Sequence, residues 1–304
     1  TFYSRNKVFP RLGYNDFISI EYMKNVTYNP LGWADDDVLI DEITKTMDTS
    51  EKQDFIYTIT VQAHGKYPDE QVDDTQTITM EGESDPKVKN QYEYYINQVH
   101  QEDEFIKNLT DTLSAYDEDV VVVFYGDHLP TFDLSEEDLS AGSLYQTEYV
   151  IWSNFGLEEV DKDYSTYQIG AVVMGRLGFD NGILTKLHQN DINDADYQEK
   201  LELLQYDMLY GKKYVYDGTS PYPNTRIHMG LRGWEEYITS INDTGDKIYV
   251  HGGNYNPFSY VFINGKKYAT TMVNETTLVI QGVELKEGDR IFVKQLAGGQ
   301  TYPL

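Results

Sequence analysis

Val120-Val121-Val122-Val123-Phe124-Tyr125-Gly126-Asp127-His128-Leu129-Pro130 is the stretch on which the fold turns. Its β-prone run predicts a strand buried on both faces, and a carboxylate beside an imidazole at the strand's end is a donor pair for a divalent metal. Gly126 releases the backbone and Pro130 forbids the strand to continue, so Asp127 and His128 can turn toward one point instead of opposite faces. In open α/β sheets ligands collect outside the carboxyl ends of the strands, where this pair would sit. The plainer alternative is an Asp capping a turn beside a surface His.

A second apolar strand is expected upstream. Phe55-Ile56-Tyr57-Thr58-Ile59-Thr60-Val61-Gln62 is β-branched and aromatic, and it ends at Ala63-His64-Gly65-Lys66-Tyr67-Pro68. Between the two strands a helical pattern over about 86–116 carries Tyr95, Ile96, Val99, Phe105, Ile106, Leu109 and Leu113 as its apolar stripe. A right-handed crossover of this kind would make strands 55–62 and 119–126 parallel neighbours, bringing His64 to the same sheet edge as Asp127 and His128. Further helices are expected over 36–49, behind the acids Asp35 to Asp37, and over 164–177 and 195–210, with a strand over 147–154. This part of the chain is predicted to be α/β.

After about residue 212 the pattern changes to short strands without intervening helices, over 248–251, 259–263, 267–272, 277–281 and 290–295. Asn264-Gly265 between two of them accepts the positive φ values of a tight hairpin turn. The expected organisation is a body over 1–211, a connecting segment over 212–240 and a small β-sandwich over 241–304. The run VHGGNYNPFSYVFINGKKYATTMVNETTLVI resembles the immunoglobulin-like IPT/TIG module, which implies a spacer or surface-binding role for the tail.

Composition limits the partners. The formal charge is −27, from 51 acidic and 24 basic residues, which argues against nucleic acid as a ligand. The exception is local: Arg5, Lys7 and Arg11 lie in an acid-free opening, a positive patch able to hold one phosphate. The chain has no Cys, which excludes disulfides and a cysteine nucleophile, and no long apolar segment. His100, His188, His228 and His251 lack partners at ligand spacing and are expected to be structural or solvated, and Trp33 is expected to pack.

Three motifs in order, TFYSRNKVFPRLGYNDFIS, YTITVQAHGKYP and VVVFYGDHLP, resemble the extracellular catalytic domain of lipoteichoic acid synthases and related phosphoglycerol transferases, within the sulfatase/alkaline phosphatase superfamily. The resemblance runs from residue 1 to about 210 and implies a partial alkaline phosphatase/sulfatase-like sheet with flanking helices. It implies that Asp127 and His128 ligate a divalent metal, manganese first, with magnesium, zinc or calcium as alternatives. It further implies that His64 contacts substrate phosphate, and that Tyr3 and Arg5 contact glycerol phosphate, Tyr3 standing where the family has Trp. The family's nucleophilic Thr and a Glu ligand would lie upstream of Thr1, so the chain is expected to be an inactive piece of a longer protein. The implied partner is a glycerol-phosphate lipid or wall polymer at the outer face of a bacterial membrane, with membrane contact only through the missing region. A sulfatase or phosphodiesterase of the same superfamily, or a non-catalytic cell-surface glycan binder, are the alternative readings.

Overall fold

The computed structural model describes residues 2–296; Thr1 and the last eight positions of the expected 241–304 segment lie outside the described residues. The chain packs as two compact units, residues 1–108 with 224–304, and residues 109–223. Among the described residues no helix is long and apolar enough to cross a membrane.

The first unit opens with helix α1 (Arg5–Leu12), which ends at Gly13 in the left-handed region. Strand β1 (Asp16–Phe17) follows, then helix α2 (Val38–Thr49), and the long helix α3 (Pro86–Leu113) begins in this unit. In the second unit β2 (Val121–Tyr125) pairs antiparallel with β3 (Tyr149–Ser153), and helices α4 (Thr166–Arg176), α5 (Ile183–Asn190) and α6 (Tyr197–Leu209) follow. The chain then returns to the first unit, where β4 (His228–Met229) lies parallel to β1.

The remaining strands are β5 (Tyr237–Asp243), β6 (Lys247–Gly253), β7 (Ser259–Ile263), β8 (Lys266–Lys267), β9 (Thr270–Asn274), β10 (Thr277–Gln281) and β11 (Ile291–Gln295). They make a four-stranded sheet in the order β5-β6-β10-β9 and a three-stranded sheet in the order β11-β7-β8. Alternate residues of both sheets meet in one core: Ile248 and Val250 of β6, Val261 and Ile263 of β7, Leu278 and Ile280 of β10. The turn joining β7 to β8 has φ of 51° at Asn264 and 83° at Gly265, the paired positive values a type I′ turn requires. This all-β segment belongs to the same unit as the N-terminal residues. Asn256, almost fully buried, donates through Nδ2 to the Glu21 carbonyl at 2.9 Å and the Met23 carbonyl at 3.1 Å.

Two expectations about strands are corrected. Residues 55–62 carry no ladder, and Phe55, Ile56 and Tyr57 are exposed rather than buried. Correspondingly β2 has β3 as its antiparallel partner in a two-stranded sheet, and it is only half-buried. β-branched sequence favours an extended chain, but a strand exists only where a neighbouring backbone takes up its N–H and C=O groups.

Side chains do this instead: Asp36 accepts the N–H of Val61 and Gln62, and α3 serves the separate 77–80 segment. Asn97 accepts from the backbone N–H of Thr77 and Ile78, and Glu93 accepts from that of Met80. The inward face of α3 therefore carries Tyr94, Asn97 and Gln98 before it becomes apolar at Phe105, Leu109 and Leu113, whereas Val99 of the expected stripe is exposed.

Candidate functional site

In the second unit, β2 runs into Gly126, whose N–H donates to the Glu148 carbonyl at 3.1 Å and whose carbonyl accepts the Thr147 hydroxyl at 2.7 Å. The expected release of the backbone by Gly126 is not what its position uses: its φ is not positive, and the missing side chain instead makes room for Thr147, whose Cβ would lie 3.3 Å from an added Cβ. Past this pin the chain presents Asp127 and His128 at the surface, 80% and 57% exposed at their side chains.

His128 Nδ1 lies 2.8 Å from the Leu129 carbonyl. A carbonyl only accepts, so the proton of the neutral ring sits on Nδ1 and the lone pair on Nε2, the tautomer that ligates a metal through Nε2. That Nε2 is 3.6 Å from Asp127 Oδ1. Two donors bound at about 2.1 Å stand about 3.4 Å apart around a tetrahedral ion and about 3.0 Å apart around an octahedral one, so the two atoms would draw closer to share a divalent cation. Among the described residues no group of three or more His, Asp or Glu is placed to hold a metal.

In the first unit, Tyr3 and Ser4 adopt left-handed backbone conformations, and Arg5 begins α1. The Arg5 guanidinium carbon lies 5.9 Å from the centre of the exposed Tyr3 ring. One turn on, Phe9 packs edge-on against Phe17 and Tyr57, with ring centres 5.2 and 6.3 Å away, and Tyr14 reaches Phe55 and Tyr57. Aromatic contacts thus fasten the helix carrying Arg5 to the segment that leads to His64.

The root of the His64 loop is a buried polar network. Asp36, only 2% exposed, accepts the backbone N–H of Val61 and of Gln62, one on each carboxylate oxygen, both at 2.9 Å. Gln62 returns the bond, its Oε1 accepting the Asp36 N–H at 3.0 Å. Asn29 donates to the Gln62 carbonyl at 2.9 Å and holds the Leu31 and Trp33 N–H groups through its Oδ1. The Trp33 indole then lies against the His64 ring, centres 4.7 Å apart. His64 Nδ1 is 2.6 Å from the Gly65 carbonyl, which again assigns the Nδ1 proton.

Behind Asp36 stands Glu102 of α3, hydrogen-bonded to it. Burial and the Asp36 charge push the Glu102 carboxyl up to about 8, while burial also raises Asp36 against the pull of its two N–H donors. Asp36 is the better solvated of the two by hydrogen bonds, so it ionises first and Glu102 retains the shared proton. Sequence reasoning took Asp35 to Asp37 as helix-start acids and missed this role; the visible trace was an Asp three residues after the Trp33 turn.

The other histidines fall as follows. His188 is buried, its Nδ1 2.7 Å from the Tyr197 hydroxyl, and burial lowers its pKa. His100 is exposed, and His251 Nδ1 lies 3.2 Å from the Thr277 hydroxyl. His228 sits between Asp16 at 3.8 Å and Glu235 at 3.4 Å, partners not expected from spacing.

The family model for Sulfatase matches residues 1–179. A protein of Rhizobium meliloti (strain 1021) named "Putative cyclic beta-1,2-glucan modification protein" is 25% identical over an alignment 257 residues long that covers 70% of this chain and 40% of that protein. Among solved structures, the Streptococcus pyogenes phosphoglycerol transferase GacH in complex with sn-glycerol-1-phosphate superposes with a TM-score of 0.59 at 23% identity, covering 70% of this chain and 59% of GacH. The chain thus spans less than two thirds of the length of either relative.

Proposed function

The chain belongs to the sulfatase family, and on that premise we propose that it is the substrate- and metal-binding part of a phosphoglycerol transferase acting on glycerol phosphate carried by a lipid or a wall polymer. The observation that carries the reading is the pairing of His128 Nε2 with Asp127 at 3.6 Å, with the imidazole tautomer fixed by the Leu129 carbonyl. A likeness in fold to a transferase bound to sn-glycerol-1-phosphate supports the substrate class, and the glucan relative supports a glycan acceptor.

In this reading Asp127 and His128 hold a divalent cation, manganese first. Such an ion, when bound, polarises a phosphoryl oxygen and lowers the pKa of a hydroxyl nucleophile. Two protein donors hold it weakly, because water must fill the remaining positions. Arg5 offers a permanently charged guanidinium fork to a phosphate. His64 acts differently: with Nδ1–H committed to the Gly65 carbonyl, its ring can donate to a phosphoryl oxygen only through a second proton on Nε2, so it binds phosphate as imidazolium. Tyr3 gives the glycerol carbons a flat apolar face. An outer-surface location belongs to the same proposal.

The test is paramagnetic. Manganese added to the wild-type chain should broaden the His128 ring protons selectively, and excess magnesium should reverse it, whereas Asp127→Ala should abolish the effect. Broadening spread over the acidic surface with His128 spared would contradict the assignment.

A further inference from the structure

The polar network under the His64 loop contains two buried carboxyl groups that phosphate binding does not use. Asp36 spends both oxygens on the N–H groups of residues three and two positions before His64. Its own N–H is taken by the Gln62 side chain, and Gln62 is bonded in turn to Gln101 of α3 and, through its carbonyl, to Asn29. Asn29 also fixes the N–H of Trp33, so both rings of the Trp33–His64 contact hang from one set of bonds.

A single acceptor facing two parallel N–H donors locks the direction of a peptide segment more tightly than a ladder bond on one side. The segment it locks makes no ladder of its own. Glu102 lies behind, with one buried oxygen, Oε2, that lacks a hydrogen-bond partner. An ionised carboxylate needs acceptor bonds on both oxygens, so this arrangement suits a protonated Glu102 donating to Asp36.

We propose that Asp36, backed by Glu102, is a positioning residue for His64: the pair clamps the Val61–Gln62 backbone and thereby sets the imidazole against Trp33 in the orientation that receives phosphate. The last clause rests on the function proposed above; the clamp itself does not. The charged group facing the pair is Asp35, whose charge opposes ionisation of Asp36, and the neutral Thr60 hydroxyl bonds Glu102.

The experiment follows the His64 ring protons of the whole chain by NMR, using their upfield shift from the Trp33 indole, and in parallel titrates sn-glycerol-1-phosphate. In Asp36→Asn, which can satisfy only one of the two N–H groups, the upfield shift should collapse and the affinity should fall about as far as in His64→Ala. Should that variant fail to fold, the wild type serves: above pH 8 the second proton leaves the pair and the His64 signals should move, whereas in Glu102→Gln they should stay put. Unchanged His64 shifts in Asp36→Asn, or identical alkaline behaviour of wild type and Glu102→Gln, would overturn the clamp. A lost shift in Asp36→Asn together with unaltered affinity in His64→Ala would uphold the clamp and refute the phosphate role of His64.

Discussion

Trp33 and His64 lie ring against ring, 4.7 Å between centres and 57° between planes, although they sit on separate loops. The contact is organised by Asn29, which holds the Trp33 N–H with its oxygen and the Gln62 carbonyl with its nitrogen. The indole thus limits the orientations open to the imidazole. Trp33→Ala should weaken sn-glycerol-1-phosphate binding by about 3- to 10-fold, the size of one lost aromatic contact. Calorimetric titration of the two proteins side by side checks this.

The Glu102 carboxyl predicts a pH dependence of stability with a definite sign. In the unfolded chain it titrates near 4.5, and in the fold at about 8. Between these values the folded protein keeps a proton that the unfolded chain sheds. Its contribution is therefore complete below pH 4.5 and is lost as pH rises toward 8. Glu236, buried beside the Ser259 hydroxyl and pushed up to about 7, acts in the same sense over a narrower window. Thermal melts should show Glu102→Gln more stable than wild type at pH 8 and close to it at pH 4; parallel curves at both pH values would refute this.

Gly126 is required for its lack of a side chain. An added Cβ would lie 3.3 Å from Thr147 Cβ, in the contact that pins the start of the Asp127 loop. Gly126→Ala should cost about 1 kcal/mol and Gly126→Val about 2–3 kcal/mol, as overpacking does elsewhere. Urea denaturation measures both, and the manganese broadening of His128 should weaken in the same order.

The core shared by the two C-terminal sheets makes a separate prediction. Ile280 is 1% exposed among Ile248, Val250, Val261 and Leu278. Ile280→Ala should destabilise by about 2–5 kcal/mol, from lost burial plus the cavity left behind. The change should appear in urea denaturation while the His64 ring shifts at native conditions stay as they are.

How far these features could be seen in the sequence depended on where each segment finds its partners. The helix over Pro86–Leu113 and the Asn264-Gly265 hairpin declare themselves locally, through apolar spacing in one and obligatory positive φ in the other. The 55–62 segment does not: extended propensity says nothing about which neighbour will accept the backbone, and here Asp36, some 25 residues upstream, does so for Val61 and Gln62. The same holds for α3, whose Asn97 and Gln98 are buried because they serve backbone groups and a side chain on other segments, a reason invisible to a hydrophobic stripe. The adjacency of Asp127 and His128 is visible in the sequence, whereas the tautomer of His128 needed the Leu129 carbonyl to be placed.

The central claim, that this chain recognises glycerol phosphate through Arg5 and His64, is tested most directly by titrating the wild type, Arg5→Ala and His64→Ala with sn-glycerol-1-phosphate. A saturable wild-type isotherm, weakened about 10-fold or more by either substitution as loss of a charge-assisted bond requires, is the predicted result. Equal isotherms for all three proteins would contradict it.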